Sequence, residues 1–395
     1  MTSRRSGPLD GVRVIDLTIN VLGPVATQIL GDMGAEVIKV EAPGGDPMRW
    51  IGPSRSGELG PFFQTTNRNK RSIVLDLKRQ TARAALRGLV SGADVFVHNM
   101  RHAAADRLGI GYSDIRAVNP AIVYASATGY HADGPYRDRP AYDDVIQGEC
   151  GLVGLIGRTG GEPGFVPMPI ADKFCGYVLA SSIAMALVHR ERTGEGQEVH
   201  VPMLETMLSL TMTTHLWQGV ADGPPGYPRA VSPWRRPFRT RDGMICVLAH
   251  TDAQWDRLLR AVDRPDLAED ARFTRMAQRA ANIVELQQLL AAALAERTTE
   301  EVRRRLEEVD VPVGPVNDLE GILEDAYLQQ TGFFRTIDHP SEGAVRTTAV
   351  PVSFSATPGT IRHGAPLLGA DTAEVLLRAG VPEATVAELA SGDGG

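Results

Sequence analysis

Asp172 stands where a short apolar approach meets a helix of small residues, in Pro169-Ile170-Ala171-Asp172-Lys173-Phe174-Cys175-Gly176. A carboxylate in that position can do two things. It can serve as a plain N-cap, accepting the free amide N–H groups of the first helical turn. It can also be presented to a ligand as a nucleophile, since those amides and the positive end of the helix dipole keep the carboxylate ionised. Gly176, Ala180 and Ala184 recur every fourth residue, so one helix face is smooth enough for another backbone to come close. Local sequence alone favours the plain cap. Cys175 is a second nucleophile one turn away, but no basic neighbour is visible in the sequence to lower its pKa.

The elements that must position Asp172 follow from composition and pattern. With 395 residues the chain is too long for one small core, and two domains are expected. A net charge of -7 speaks against a nucleic-acid partner, which needs a basic face. No apolar run reads as a membrane span, and Met1 to Gly7 is polar, without a hydrophobic signal region. Cys150, Cys175 and Cys246 are odd in number and lack paired metal spacing, so no metal is expected. They read as buried free thiols in a reducing cytoplasm.

The N-terminal half alternates β and α patterns. Strands are expected at 12–17, 35–40, 72–77, 94–97, 122–125 and 198–201. Helices are expected at 24–32, 81–90 and from Asp172 to about Arg192. This is the pattern of an α/β protein with a Rossmann-like parallel sheet, which binds ligands at the carboxyl ends of its strands. No G-x-G-x-x-G follows the first strand, where residues 18–24 read Thr-Ile-Asn-Val-Leu-Gly-Pro, and there is no P-loop. Seven glycines between Gly148 and Gly164 predict a flexible or tightly turning segment just ahead of Asp172, either a cover for a site or a plain connection.

Pro/Gly-rich linkers at 224–228 and 311–315 bracket a smaller α/β domain, expected over 224–320. It should hold a strand at 244–248 and capping boxes at Thr251-x-x-Gln254 and Thr298-x-x-Glu301. A helix should carry Ile283, Leu286, Leu290 and Leu294. The large domain takes 1–223, and the chain returns to it over 321–395. That return holds β patterns at 347–354, a helix near 372–379 and a fraying tail over 391–395.

Several longer motifs occur in order: Pro8-Leu-Asp-Gly-Val-Arg-Val-Ile-Asp-Leu-Thr18, Gly34-Ala-Glu-Val-Ile-Lys-Val-Glu41, Gly45-Asp-Pro-Met-Arg49, Asn69-Lys-Arg-Ser-Ile-Val-Leu-Asp-Leu-Lys78 and Pro169-Ile-Ala-Asp172. Arg192-Thr-Gly-Glu-Gly-Gln-Glu-Val199 and Val313-Gly-Pro-Val-Asn-Asp318 follow. Through them the chain, from Pro8 to about Leu377, resembles the family III CoA-transferases, the group of formyl-CoA transferase and the carnitine CoA-transferase.

The resemblance implies that Asp172 attacks an acyl-CoA thioester to give a mixed anhydride. The freed CoA thiolate then attacks the aspartyl carbonyl to give a β-aspartyl-CoA thioester, and an acceptor carboxylate takes up the CoA by the reverse steps. CoA and acyl-CoA are then substrates, with no permanently bound cofactor, and a small carboxylic acid is the acceptor. The implied CoA contacts are Asn20, Val21, Leu75, Lys78, Asn99, Met100 and Arg107, with Lys78 and Arg107 suited to phosphates. Tyr142 and Asp143 match positions facing the active centre. The resemblance also implies an interlocked homodimer.

The chain departs from the pattern in places. Ala42 stands where a basic residue is common, Pro140 replaces a lysine beside Arg139, and Arg101-His102-Ala103 replaces Arg-Pro-Gly. Ser232-Pro-Trp-Arg-Arg-Pro-Phe238 replaces a glycine run, which weakens oxalate and formate as substrates and offers Arg235 and Arg236 to a second carboxylate or to CoA.

The same fold hosts α-methylacyl-CoA racemases, which work by proton abstraction with an Asp and a His thirty residues before it. Here that position is Tyr142, a poor base at neutral pH. His98 is the nearest substitute and reads as a strand-end residue. A CoA-binding protein without turnover and an NAD oxidoreductase are the remaining readings. The first is opposed by an intact Asp172 and the second by the missing glycine fingerprint.

Overall fold

Runs of valine and isoleucine build a six-stranded parallel sheet. The computed structural model describes residues 7–216, 223–227 and 230–390. β1 (Arg13–Asp16) leads into α1 (Leu22–Asp32) and β2 (Glu36–Glu41). A 3-10 turn (Pro47–Trp50) and α2 (Pro61–Thr66) precede β3 (Lys70–Val74). Then come α3 (Gln80–Ser91), β4 (Val95–His98), α4 (His102–Leu108), α5 (Tyr112–Val118) and β5 (Val123–Thr128). After α6 (Asp143–Glu149), α7 (Leu152–Arg158) and the long α8 (Ile170–Thr193), the chain closes the sheet with β6 (Glu198–Pro202) and continues into α9 (Met203–His215).

The strand order is β3-β2-β1-β4-β5-β6, the doubly wound arrangement that reverses direction between β1 and β4. Ile15 sits opposite Ile38 on one side and Phe96 on the other. Strands buried on both faces read as near-continuous apolar runs, which is why they were legible. One face packs Val14, Val37, Val95 and Val123 against α1 and α8. The other packs Ile15, Ile38, Phe96 and Tyr124 against α3 and α5.

A buried set of charges ties β1, β2 and β3 to the segments around them. Lys39 is fully buried, donates to the Thr18 carbonyl at 2.6 Å and meets Asp46 Oδ2 at 3.0 Å. Lys70 donates to Asp16 Oδ2 at 3.2 Å, and Thr18 and Thr27 complete the shell of Asp16. Burial alone would raise the pKa of Asp16, yet Lys70 and Lys39 together hold it below the ordinary value. Arg49 grips Glu41 with two bonds of 2.7 Å, stacks 3.8 Å from the centroid of the Phe63 ring and is itself 1% exposed. Arg68 pairs with Asp32 at 2.7 Å.

Within the second compact unit, formed by Leu155–Pro163 and Leu216–Gln329, β7 (Phe238–Arg239), β8 (Met244–Val247) and the helices α10 (Asp252–Ala261), α11 (Pro265–Glu269), α12 (Met276–Ala281), α13 (Ile283–Ala295) and α14 (Thr299–Glu308) follow in order. β9 (Val313–Pro315) completes an antiparallel sheet in the order β7-β8-β9. The stretch expected as a linker at 311–315 is thus largely a strand, because Val311 and its neighbours are needed for the small core. Thr251 and Gln254 form a full capping box, whereas Thr298 caps Glu301 in one direction only. α15 (Leu319–Glu324) and α16 (Ala326–Gln330) carry the chain onward. Pro228 of the first expected linker and the expected fraying tail over 391–395 lie outside the described residues.

The returning segment forms a hairpin, β10 (Phe334–His339) with β11 (Gly343–Thr348), then α17 (Thr372–Arg378) and α18 (Glu383–Ala390). β structure expected at 347–354 stops at Thr348, and Pro351, which has no N–H to give a ladder, lies in the excluded part. β3 also ends earlier than expected, since the Asp76 carboxylate accepts the Lys78 N–H and turns the chain. The glycines between 148 and 164 do not form one loose segment: Gly154 and Gly157 lie inside α7, while Gly151 and Gly160 take positive φ. α8 is long and apolar enough to cross a membrane by length and composition alone, contrary to the expectation that no run is. Here those apolar residues serve the core, where Ala171, Leu179 and Ile183 are buried.

Lys39→Met leaves Asp46 and Asp16 short of a buried cation, and the expected loss of stability is about 3–5 kcal/mol. Chemical denaturation read by circular dichroism checks it, and an unchanged midpoint would show that the ion pairs do not hold the sheet edge.

Candidate active site

Asp172 is the third residue of α8, and Pro169 holds the N-cap position without a side-chain bond. Asp172 is therefore not the cap. The capping carboxylate is Asp143, in the first turn of α6, whose Oδ1 accepts the Asp172 N–H at 2.9 Å. No hydrogen bond or ion pair engages the Asp172 carboxylate among the described residues. Burial first, then the nearby charges of Asp143 and Asp144, push its pKa up to about 7. The expectation of a carboxylate kept ionised by its helix end is corrected by this. Desolvation and two like charges outweigh the dipole, and the group is poised near neutrality.

The second partner of Asp143 is Gln147, one turn along α6, which donates from Nε2 to Asp143 Oδ2 at 2.6 Å. Sequence reading missed Gln147, although its i,i+4 spacing from Asp143 on a helix was the available signal.

α8 is pinned to α1 by the smooth face that the small residues make. A Cβ on Gly176 would lie 2.7 Å from the Leu22 carbonyl oxygen, so this crossing admits only glycine. Leu22 follows Val21, the N-cap of α1, and Asn20, which takes a left-handed φ of 65°. The Asn20 N–H donates to Asp46 Oδ1 at 3.2 Å. Asn99, just past β4, clamps the preceding residue from both sides: its Oδ1 accepts from the Ile19 N–H at 2.9 Å and its Nδ2 donates to the Ile19 carbonyl at 2.8 Å. The structure thus brings Asn20, Val21 and Asn99 together at the point where the strand order reverses. It packs the helix of Asp172 against the same loop's helix.

The other residues expected at the site are more scattered. Met100 is half-buried, and its N–H donates to His98 Nδ1. Leu75 is 2% exposed and its side chain belongs to the core, which leaves only its backbone for a ligand. Lys78 is exposed beyond β3 and Arg107 is exposed in the last turn of α4. No hydrogen bond or ion pair joins either to Asn20, Asn99 or Asp172 among the described residues. Tyr142 is 68% exposed at the N-cap of α6. In the second unit, Arg235 and Arg236 are exposed, and the Arg236 guanidinium lies 5.1 Å from the centroid of the Trp234 ring.

The remaining candidate groups are quiet. His98 is buried against the Tyr124 hydroxyl at 2.6 Å, and burial lowers its pKa to about 3, so it is sealed and neutral. Burial and the charge of Asp172 push the Cys175 thiol up to about 12, which leaves it unreactive. Cys150 is buried as expected, but Cys246 is exposed, because it lies on the outward side of β8.

The sequence pattern that defines CoA-transferase family III matches residues 9–372. The succinate–glutarate CoA-transferase of Agrobacterium fabrum is 33% identical over 94% of this chain and 96% of its own length. The succinyl-CoA:mesaconate CoA-transferase of Haloarcula hispanica is 34% identical over 96% of this chain and 98% of its own. Among solved structures, an aspartate-to-alanine mutant of a Mycobacterium tuberculosis protein superposes with a TM-score of 0.84 at 31% identity, over 95% of this chain and 100% of that one. By this match along its length and by its sheet, the chain belongs to CoA-transferase family III.

Proposed function

We propose that the protein moves CoA from an acyl-CoA donor to a carboxylic acid acceptor through a covalent aspartyl-CoA thioester on Asp172. The observation that carries this reading is the Asp172 carboxylate itself: largely desolvated, without a hydrogen-bond or ion-pair partner among the described residues, at the start of a long helix packed against the helix that follows the loop after β1. A carboxylate with a pKa near 7 is a stronger nucleophile than an ordinary aspartate. It still ionises in the working range. Attack on the thioester carbonyl gives the mixed anhydride and frees CoA thiolate, which attacks the aspartyl carbonyl and releases the donor acid. The acceptor carboxylate then attacks the aspartyl thioester, and CoA thiolate returns to form the new acyl-CoA.

CoA is assigned to the carboxyl edge of the sheet, along Asn20, Val21, Asn99 and Met100, with the Leu75 backbone below. The exposed Lys78 and Arg107 are free to meet phosphates. The names of the two relatives support succinyl-CoA as donor and a dicarboxylate as acceptor. Proton abstraction is the less favoured chemistry, since Tyr142 stands where a base would be needed and His98 is sealed. Free thiols accord with a reducing cytoplasm. The functional unit is proposed to be an interlocked homodimer, and Tyr177, Met185 and Val188, exposed along one side of α8, offer an apolar surface for it. Sedimentation should then read twice the 42.5 kDa of the chain, and a monomer at micromolar concentration would refute the dimer.

Asp172→Ala should lower exchange between succinyl-CoA and glutarate by about a thousand-fold or more while the protein stays folded. Retained exchange in that variant would overturn the mechanism. The rate should rise with pH through about 7 as Asp172 ionises. The same shift makes a statement about stability. The unfolded chain gives up this proton near the ordinary 3.8 and the folded chain near 7, so stability is lost as pH rises from about 4 to about 7. Asp172→Asn lacks that loss and should be more stable than the parent at pH 8 by about 1–2 kcal/mol, a value reduced for partial exposure. Melting curves across pH check it.

A further inference from the structure

We propose that Gln147 is a positioning residue for the reaction: its buried amide ties Asp143 and the chain ahead of α8 into one unit that fixes where the Asp172 carboxylate stands and how much negative charge it faces. The inference rests on Asp172 being the nucleophile.

Gln147 is 0% exposed, and three polar groups converge on it. Its Nε2 donates to Asp143 Oδ2 at 2.6 Å and to the Met168 carbonyl at 3.4 Å, while its Oε1 accepts the Val166 N–H at 2.9 Å. The orientation of this amide is unambiguous, because a carboxylate and a carbonyl can only accept and an N–H can only donate. Asp143 is then held with Oδ2 toward Gln147 and Oδ1 toward the Asp172 N–H at 2.9 Å. One side chain thus fixes the cap of α8 and, through Val166 and Met168, the approach of the chain to that cap. Glutamate would supply no donor when ionised, and an aliphatic residue would supply neither donor nor acceptor.

The amide also sets charge. Its bond to Oδ2 holds Asp143 against the start of α8, where the negative charge of Asp143 opposes ionisation of Asp172. The elements packed on α8 carry few other ionisable groups. They are Asp144 and Glu149 on α6, Asp32 at the far end of α1, Tyr124 on β5, Glu198 and His200 on β6, and Glu205 and His215 on α9. Cys175 and Lys173 lie on α8 itself. Of these, Asp143 and Asp144 are the ones that act on Asp172.

Removing the amide donor frees Asp143 from its place beside Asp172. The opposing charge is then no longer held close, and Asp172 ionises at lower pH. For Gln147→Leu, the midpoint of the pH–rate profile for succinyl-CoA:glutarate exchange should fall by about one unit. The kcat at pH 8 should drop about tenfold with KM for succinyl-CoA within about threefold, as expected of a misplaced nucleophile and an intact binding edge. Asp143→Asn removes the same charge and retains the Oδ1 acceptor, so it should lower the midpoint too, and Gln147→Leu should add no further shift in that background. If Gln147→Leu melts below the assay temperature, Gln147→Met, closer to glutamine in length and shape and equally without a donor, carries the test with the same sign. Unmoved midpoints in folded variants, or additive shifts in the double variant, would overturn the role of Gln147. Exchange lost in Asp172→Ala alongside unmoved Gln147 midpoints would sink this inference and leave the nucleophile standing. Exchange retained in Asp172→Ala would sink both.

Discussion

The large unit depends on charges that water does not reach. Lys39 joins the loop after β1 to the turn after β2, through the Thr18 carbonyl and Asp46. Lys70 joins β3 to β1 through Asp16, and Arg49 closes on Glu41 at the end of β2. A buried pair of this kind contributes little net stability over a well-packed apolar pair, but breaking it strands a charge at high cost. The cost of disorder is therefore concentrated at the carboxyl edge of β1 to β3. That is the edge where Asn20 adopts its left-handed backbone and where Asn99 grips Ile19. The edge is fixed in place before any ligand arrives.

From that rigid edge, position is passed to Asp172 by packing. α1 starts at Leu22, directly after the clamped loop, and α8 crosses it at Gly176 with no room for a side chain. Asp172 lies one turn before the crossing, with its own N–H held by Asp143. Backbone position is over-determined, while no partner among the described residues engages the carboxylate. A nucleophile needs both conditions, and a structural N-cap would satisfy only the first.

Much of this was legible in the sequence, for physical reasons. Strands buried on both faces, such as Val14-Ile15 and Val95-Phe96-Val97, read directly as apolar runs. Gly176-x-x-x-Ala180 announced a close helix crossing. The motifs at 8–18, 34–41, 45–49 and 69–78 carried the family resemblance, and what they encode is mostly the buried ion network: Asp16, Lys39, Glu41, Asp46, Arg49 and Lys70. Which cation meets which carboxylate depends on three strands side by side, so no single window could display it. Asp172 was found, but its role as a cap was misassigned, because the capping carboxylate comes from residue 143, twenty-nine positions away. Its electrostatics were misjudged for the same reason: burial and the charges of α6 are tertiary facts. The loop expected between Gly148 and Gly164 proved partly helical, since glycine lowers helix stability without forbidding a helix.

The most direct test of the account is to mix the protein with succinyl-CoA, quench with hydroxylamine, and map the modified peptide by mass spectrometry. A hydroxamate on the Asp172 side chain is the expected result. Active turnover with Asp172 recovered unmodified, or with the label on another residue, would contradict it.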